Sequence, residues 1–374
     1  MLHQKKKMRH RGLLFREKPA TAAAGPGARP AGGASRGCRW ARKWEPDRGR
    51  LRVALALLPL LLFASILLPP ALTPRPPVEA STGSLDAANV VKIGILPDVD
   101  SFPFIVAQEL GFFKDAGVNV KLIPFQNPIE RDSALQARAI DGEVADTLAA
   151  VFARTNGLDV KITSITNGRY AILTSPKSNI KSLHDLKNVP IGLSTNTIIE
   201  YITDQLLAGA GLPAGSVAKI AIPKIPIRLQ MLESGKIKAA CLPEPLATVA
   251  RLRGASLIAD SDSMGLAPGV MIFTADAIKR KTIELRRLYE AYDRAITKIN
   301  KDPGSVRHLL VEKAGFPEIV RDVLVFPHYH RPSVPAPGDV EKVLNWMIRK
   351  ELIDKDQVPA YQDLVTDTLI KDIK

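Results

Sequence analysis

The sequence predicts an α/β fold of two units, each of about 100 residues and each a sheet with helices on both faces. Short β-branched runs alternate with segments of helical spacing from residue 90 onward. The same alternation starts again at residue 189, and the chain from residue 276 onward is mainly helical. The repeated order therefore indicates two α/β lobes, followed by helices that need a sheet to cover.

The first unit opens with a β-branched run at residues 91–96, which is closed by Pro97 and Asp98. A second strand is predicted at residues 118–123, and a helix with proline at its start at residues 128–139. Further short strands are predicted at residues 160–165, 171–174 and 190–193.

In the second unit a polar turn at residues 194–197 joins a strand to a helix at residues 198–210. Two more strands are predicted at residues 219–222 and 239–242, with a helix at residues 227–234 between them. The C-terminal region is predicted to contain helices at residues 276–300, 303–314, 317–323 and 340–350.

The basic charge of the chain is concentrated in its first 52 residues. The whole chain has a net charge of +14, and residues 1–52 hold 15 basic against three acidic side chains. Residues 81–374 hold 36 basic and 34 acidic side chains, so the body is nearly neutral and offers no electrostatic reason to bind nucleic acid. Residues 1–52 are rich in Arg, Ala, Gly and Pro and are predicted to form a basic, disordered leader.

Residues 53–80 are predicted to be a signal peptide or an uncleaved N-terminal membrane anchor. The apolar run at residues 53–68 is about right for a signal-peptide core and short for a membrane span, which needs about 20 residues. Val78, Glu79 and Ala80 offer a cleavage site, and the basic leader is expected to stay in the cytoplasm. We therefore expect an exported body, in the periplasm or on the extracellular face of the cytoplasmic membrane, which contacts the membrane through the leader if that is not cleaved.

Three segments carry a family resemblance: ELGFFKDAGV at residues 109–118, IDGEVAD at 140–146 and SLHDLKNVPIGL at 182–193. Together they resemble the extracytoplasmic substrate-binding proteins of ABC importers. The branch is the one that includes nitrate, taurine, aliphatic-sulfonate and thiamine-precursor binders. The resemblance covers about residues 90–365.

This resemblance implies the type II periplasmic-binding-protein fold, in which two lobes are joined by two hinge crossings and close on a ligand between them. It implies a first part of lobe 1 at residues 90–170, lobe 2 at residues 171–270, and a helical return to lobe 1 at residues 271–374. The implied function is that of a monomer which captures a small polar or anionic organic solute and delivers it to ABC permease and ATPase subunits. No cofactor, metal or catalytic residue is expected.

The candidate ligand-binding residues of the first lobe follow its strands, where ligands of open α/β sheets bind. They are Asp98, Ser101 and Phe102 after the first strand, Gln126 and Asn127 after the second, and Asp146 and Thr147 after a short apolar stretch. Each polar member has an ordinary alternative role as a cap or turn residue, and Phe102 has one in core packing.

The strongest candidate of the second lobe is the polar turn formed by Ser194, Thr195, Asn196 and Thr197. A helix needs one cap and this turn offers four, which favours binding. In the binders that the chain resembles, this turn often holds an anionic head group.

Three further candidates carry charge. Arg169, at the first crossing, would bind an anion or form an interlobe salt bridge. Lys224 and Glu244 follow later strands, and Glu244 would receive a ligand amine or cap a helix. A lysine and a glutamate in one cleft favour a zwitterionic or polar heteroaromatic ligand over a simple sulfonate.

Two other functions stay open: an enzyme of pyrimidine or thiamine-precursor synthesis on the same fold, and a membrane-tethered ligand sensor. The synthases that the fold resembles rely on a cysteine-rich motif and histidine chemistry, and residues 81–374 hold one cysteine, Cys241. His328 and His330 supply two of the four ligands that a structural zinc takes, so no metal site is predicted.

Overall fold

Two five-stranded sheets organise the chain, which the computed structural model describes over residues 89–213, 215–266 and 269–373. All of these residues belong to one unit, Pro77–Lys374. The leader predicted at residues 1–52 and the signal or anchor segment predicted at residues 53–80 lie outside the described residues. Among the helices of the described ranges, none has both the length and the apolar character needed to cross a membrane.

The first sheet combines parallel strands with one antiparallel strand that comes from late in the chain. Its strands are β1 (Val91–Ile95), β2 (Val120–Pro124), β3 (Gly142–Asp146), β4 (Val160–Ile165) and β10 (Gly269–Thr274), in the spatial order β2-β1-β3-β10-β4. β1 pairs in parallel with β2 and β3, whereas β10 is antiparallel to β3 and β4. The carboxyl ends of β1, β2 and β3 therefore share one edge of the sheet.

The second sheet repeats this arrangement. Its strands are β5 (Tyr170–Thr174), β6 (Ile191–Leu193), β7 (Lys219–Ala221), β8 (Ala239–Pro243) and β9 (Ser256–Asp260), in the order β7-β6-β8-β5-β9. β6 is parallel to β7 and β8, and β5 is antiparallel to β8 and β9. The α/β class with one sheet in each of two lobes is confirmed.

The chain passes between the sheets twice, from β4 to β5 and from β9 to β10. We call residues 90–165 together with 269–373 the first lobe, and residues 170–260 the second lobe. The crossing segments are residues 166–169 and, in its described part, residues 261–266.

Helices surround both sheets. In chain order they are α1 (Phe102–Glu109), α2 (Phe112–Asp115), α3 (Pro128–Gln136), α4 (Thr147–Thr155), α5 (Ile198–Gly209), α6 (Ile225–Glu233), α7 (Leu246–Leu252), α8 (Ala275–Arg280), α9 (Thr282–Lys301), α10 (His308–Glu312), α11 (Pro337–Arg349) and α12 (Tyr361–Leu364). Single turns of 3-10 helix lie at Leu183–Leu186, Asp262–Met264, Pro303–Val306, Glu318–Val320 and Lys355–Gln357.

The helix predicted at residues 276–300 is interrupted at Lys281, which separates α8 from α9. The Lys281 ammonium is buried and donates to the Asp141 carboxylate at 2.8 Å and to the Val90 carbonyl at 2.7 Å. A buried charge needs such partners, and the backbone leaves the helical region at Lys281, with φ at −123°, where the side chain reaches them. The helix predicted at residues 303–314 is a 3-10 turn followed by the short helix His308–Glu312, and the helix predicted at residues 317–323 is only the 3-10 turn Glu318–Val320.

The C-terminal helices contact both lobes. α9 packs on the first lobe, where Tyr292 lies 4.7 Å from Phe104 between ring centroids. α11 reaches α5 of the second lobe, where the Trp346 indole donates to Asp204 at 3.1 Å and the Lys350 ammonium to Glu200 at 2.9 Å. These polar contacts add to the two crossings in holding the lobes together.

Candidate functional site

The lobes face each other across a small enclosed cavity of about 20 Å³. Its first-lobe wall comes from the ends of β1 and β3 and the start of α3, and its second-lobe wall from the starts of α5 and α6. The polar lining residues are Asp98, Asp100, Arg131, Asp146, Tyr170 and Thr197. The cavity has room for about one water molecule.

Direct hydrogen bonds join the two lobes beside this cavity. The Asp146 carboxylate accepts from the Ile198 N–H at 3.2 Å, through the oxygen that is not engaged in capping α4. The backbone adds two more, from Ile225 N–H to the Gln126 carbonyl at 3.2 Å and from Val99 N–H to the Glu244 carbonyl at 2.9 Å. These three contacts border the cavity from both lobes.

Two aspartates follow β1 and are buried together. Asp98 accepts from the Ser101 N–H at 2.9 Å, and Asp100 from the hydroxyls of Thr166 at 2.5 Å and Tyr170 at 3.1 Å. Burial, and then the charge of Asp100, raises the pKa of Asp98 to about 8. Burial also raises the pKa of Asp100 to about 6, against the lowering effect of its two hydroxyl donors. Asp98 is therefore protonated at neutral pH in the closed form.

Asp100 ties the first crossing to the first lobe. Thr166 begins that crossing and Tyr170 follows it. Gly269, which begins β10 after the second crossing, packs against the same carboxylate: a Cβ on Gly269 would lie 2.9 Å from Asp100 Oδ1. Both crossings therefore meet at one buried carboxyl group.

A buried arginine balances part of the first-lobe acidity. The Arg131 guanidinium donates to the Val144 carbonyl at 2.8 Å and to Asp132 at 2.8 Å, and lies 3.5 Å from Glu143. Burial disfavours its charge, but Asp132, Glu143 and Asp146 outweigh this and raise its pKa. Burial raises the pKa of Glu143 well above its ordinary value, and also raises that of Asp146. The first-lobe wall thus offers more carboxyl groups than cations.

The polar turn of the second lobe lies where β6 meets α5. Thr197 caps α5 by accepting from the Ile199 N–H, and its hydroxyl donates to the Ser194 carbonyl at 2.9 Å. Thr195 and Asn196 are exposed, and Asn196 adopts φ at +58°. Ser194 is buried, and its hydroxyl accepts from the Arg228 guanidinium at 2.8 Å.

The structure brings Asp98, Asp146 and Thr197 together on the cavity wall. Ser101 and Phe102 lie beneath it: the Ser101 hydroxyl accepts from the Leu96 N–H, and Phe102 stacks on Phe326 at 5.2 Å between ring centroids. Their roles as ligand contacts stay predictions.

The other predicted residues lie around the cavity or farther out. Asn127 caps α3 by accepting from Glu130 N–H, Gln126 is exposed apart from its backbone contact to Ile225, and Thr147 lines a separate groove of about 350 Å³. Binding by these residues is also untested.

The three charged candidates differ in burial and in their hydrogen-bond partners. Arg169, in the first crossing, pairs with Asp262 of the second crossing and donates to the Val325 carbonyl of the first lobe. Lys224 is exposed at the start of α6, and buried Glu244 caps α7 by accepting from Thr248 N–H. Ligand binding by these three stays a prediction.

Sequence reasoning missed Asp100, Arg131 and Arg228. A signal existed for both arginines, because each falls at helical spacing with buried apolar residues: Arg131 with Leu135 in α3, and Arg228 with Ile225 and Leu232 in α6. In the described parts of the chain, no three His, Cys, Asp or Glu side chains cluster in a way that could hold a metal ion.

A family model described as "NMT1/THI5 like" matches residues 98–305, more than half of the chain. The chain belongs to the NMT1/THI5-like family. A curated relative of this NMT1/THI5-like chain, a putative thiamine biosynthesis protein of Haemophilus influenzae, is 31% identical over 127 residues. That match covers 32% of this chain and 40% of the relative, so the chain spans less than half the length of the curated relative.

Solved structures of binding proteins share the fold of this NMT1/THI5-like chain. One is a ligand-binding component of an ABC-type import system from Staphylococcus aureus with zinc bound (TM-score 0.67, 16% identity, 76% of this chain and 99% of that chain). Another is the alkanesulfonate-binding protein SsuA from Xanthomonas axonopodis pv. citri bound to MOPS (TM-score 0.65, 17% identity, 74% and 99%). The predicted two-lobed periplasmic-binding-protein fold is confirmed, and at these identities the similarity concerns the fold alone.

Proposed function

We propose that this protein is the solute-binding component of an ABC importer, and that it encloses a small polar organic solute between its lobes. The observation that carries the proposal is the meeting of Asp98 and Asp146 with the first turn of α5 in the closed cleft. Carboxyl groups on one wall favour a solute with a protonated nitrogen or N–H donors at that end. Lobe closure would then remove the solute from water.

The partners and location follow from the same proposal. The protein would act as a monomer outside the cytoplasmic membrane, either free or held by the predicted leader, and would pass its solute to a permease driven by an ATPase subunit. Neither solute capture nor delivery requires a nucleophile or a cofactor.

The direct test is a thermal-shift screen of the full chain against amino acids, sulfonates, nitrate, pyrimidines, purines and vitamins. A solute that binds the folded protein stabilises it by mass action, by about 2.7 kcal/mol at 100 times its Kd. Absence of any saturable shift would count against the proposal. Conversion of a shifting compound into a product would favour the alternative, an enzyme of pyrimidine or thiamine-precursor synthesis, over a binding protein.

Replacing Ser194, Thr195 and Asn196 together by alanine is expected to abolish the solute-induced shift. The triple variant removes two hydroxyls and an amide from the turn before α5 but keeps Thr197, which caps α5. The matched control is Ser182→Ala, which removes the hydroxyl of the capping box at the 3-10 turn Leu183–Leu186 in the same lobe. An unchanged solute affinity in the triple variant would move the site elsewhere.

Binding of a cationic solute is expected to release about one proton at pH 7. Asp98 has a pKa of about 8 and is protonated in the free closed form, and a cation beside it favours the ionised carboxylate. Calorimetry at pH 7 in two buffers of different ionisation enthalpy should therefore give different apparent enthalpies. The difference should vanish in Asp98→Asn. Equal enthalpies in wild-type protein would exclude a cationic group at Asp98.

A further inference from the structure

The proposed function leaves unexplained a groove of about 350 Å³ that lies beside the second crossing. Its walls come from both lobes: from the start of α4 and from α11 in the first lobe, and from Tyr201 of α5 in the second. Met264 and Leu266 of the second crossing also line it. Its volume is that of a small-molecule site, about 300–1,000 Å³, whereas the cavity at Asp98 and Asp146 has about 20 Å³.

Three buried polar side chains line this groove with hydrogen-bonding groups that lack a protein partner. Thr147, Asn167 and Tyr201 are 2%, 8% and 3% exposed. The amide oxygen of Asn167 accepts from the His330 N–H at 3.0 Å. Within the described ranges, neither the Asn167 amide nitrogen nor the hydroxyls of Thr147 and Tyr201 have a hydrogen-bond partner. Because buried polar groups are normally hydrogen-bonded, these three point to an occupant that donates and accepts hydrogen bonds.

The charges around the groove cancel each other. Among the described lining residues, the carboxylate, ammonium and guanidinium groups are limited to those of Asp339 and Lys342, which pair at 2.9 Å on the exposed rim. Burial and the charge of Asp339 raise the pKa of Tyr201, so the Tyr201 hydroxyl keeps its proton at neutral pH. A charged ligand would leave water without gaining a counter-ion, which costs far more than burying a neutral polar molecule. The groove therefore favours an uncharged occupant.

The rest of the lining is apolar and partly aromatic. Val270, Val340 and Val343 are buried and line the groove, and Met264 adds its thioether. The Tyr201 ring is fixed edge-on against Trp346, with 5.6 Å between the ring centroids. Aromatic and thioether side chains make favourable contacts with a ring. The lining thus suits an aromatic ring that carries a neutral group with both a donor and an acceptor.

We propose that this groove is a second binding site, for a small uncharged aromatic molecule with amide-type donor and acceptor groups, which Thr147, Asn167 and Tyr201 bind by hydrogen bonds. The site is separate from the cavity at Asp98 and Asp146, and the inference does not depend on the proposed function. Because its walls belong to α5, α11 and the second crossing, a bound molecule would contact both lobes at once.

The experiment compares three probes of nearly the same shape but different charge: benzamide, benzoate and benzamidinium. Each is titrated at pH 7 into the full chain, and binding is followed by saturation-transfer NMR. Benzamide should bind saturably, and in the groove the two charged probes should bind about tenfold more weakly or worse, because they find no counter-ion there.

Ala336→Phe should abolish benzamide binding, because it places a ring in the groove from the exposed residue that precedes α11. The matched control is Ala360→Phe, which adds the same ring at the exposed residue that precedes α12. The backbone conformations of the two alanines are nearly equal, with φ −64° and ψ 146° at Ala336 and φ −66° and ψ 150° at Ala360. Ala360 does not line the groove, so the control should bind benzamide as wild type does.

Two variants that remove a polar group separate binding from folding, and they carry the test if Ala336→Phe does not fold. Tyr201→Phe keeps the ring beside Trp346 and should weaken benzamide binding about fivefold. Its urea midpoint should be unchanged or higher, because the lost hydroxyl has no protein partner. Asn167→Asp keeps an oxygen for the His330 N–H and replaces the amide nitrogen by a charged oxygen. That variant should bind benzamidinium more tightly than benzamide.

Absence of saturable benzamide binding would overturn the proposal, as would equal benzamide affinity in wild type, Ala336→Phe and Tyr201→Phe. Benzamidinium binding that is lost in Asp98→Asn but unaffected by Ala336→Phe belongs to the cavity and supports the proposed function instead. The two proposals therefore fail separately. Benzamide binding with these variant effects, but without any solute that responds to Asp98→Asn, would sustain the groove site and count against the proposed function.

Discussion

Gly168→Ala is expected to destabilise the closed protein by about 3 kcal/mol, the largest effect of a single added methyl group that we anticipate here. A Cβ on Gly168 would lie 2.7 Å from the Tyr170 hydroxyl and closer still to Asp100 Oδ2. Asp100 cannot move aside cheaply, because it is 3% exposed and held by the hydroxyls of Thr166 and Tyr170. The methyl group would therefore break the buried hydrogen bonds that tie the first crossing to the first lobe.

In urea denaturation this loss of unfolding free energy should appear as a lower midpoint concentration of urea. The slope of the unfolding free energy against urea concentration should be unchanged. The matched control is Gly338→Ala at the start of α11, where a Cβ would meet nothing within 4 Å, so that variant should be neutral or slightly stabilising. Small-angle scattering gives a second reading, since loss of the Asp100 contacts should open the lobes and raise the radius of gyration of Gly168→Ala. Matching midpoints for the two alanine variants would show that the crossing tolerates the methyl group.

Asp98→Asn is expected to stabilise the protein increasingly as the pH rises from 5 to 8. In the folded protein Asp98 has a pKa of about 8 against an ordinary value of 3.8, because it is buried and lies beside Asp100. Between these two values the folded state holds a proton that the unfolded chain has lost, so the unfolding free energy falls with rising pH. The stability that the raised pKa of Asp98 contributes is fully present below about pH 3.8 and is lost as the pH rises through about 8.

Asparagine cannot ionise, so the unfolding free energy of the variant does not fall with rising pH on account of this residue. The asparagine amide oxygen can still accept from the Ser101 N–H. We expect the stability difference between variant and wild type to grow by on the order of 3–4 kcal/mol from pH 5 to pH 8. Urea midpoints at both pH values measure it, and Asp356→Asn, at an exposed position, is the control that should show no such trend. A difference that is constant with pH would mean that Asp98 titrates normally.

Much of the fold was predictable because it depends on neighbours in the chain. The β-branched run before Pro97 became β1, and the four small polar residues after residue 193 became the turn before α5. Strands with a weaker local signal were missed: β9 (Ser256–Asp260) has a polar residue at each end, and β3 (Gly142–Asp146) begins with glycine and contains two carboxylates. These segments form strands because of the strands they pair with, which lie far away in the chain. β3, for example, pairs with β10, which lies more than 120 residues later.

The candidate site was predictable only in part, for the same reason. Asp98, Asp146 and Thr197 each follow a strand, so a position at the cleft could be expected of each separately. Arg228 was missed because a single arginine in a helix is usually exposed, and its burial depends on how α6 packs against the second sheet. Its helical spacing with Ile225 and Leu232 was the available signal.

The sequence by itself determined two α/β lobes, a neutral body behind a basic leader, and polar turns at the strand ends, since each of these is a local property of composition and spacing. The tertiary structure decided that Asp146 of one lobe meets the first turn of α5 in the other, and that burial beside Asp100 raises the pKa of Asp98. Those properties depend on burial and on distances between residues far apart in the chain. Such distances exist only after the two sheets have formed and the crossings have brought them together.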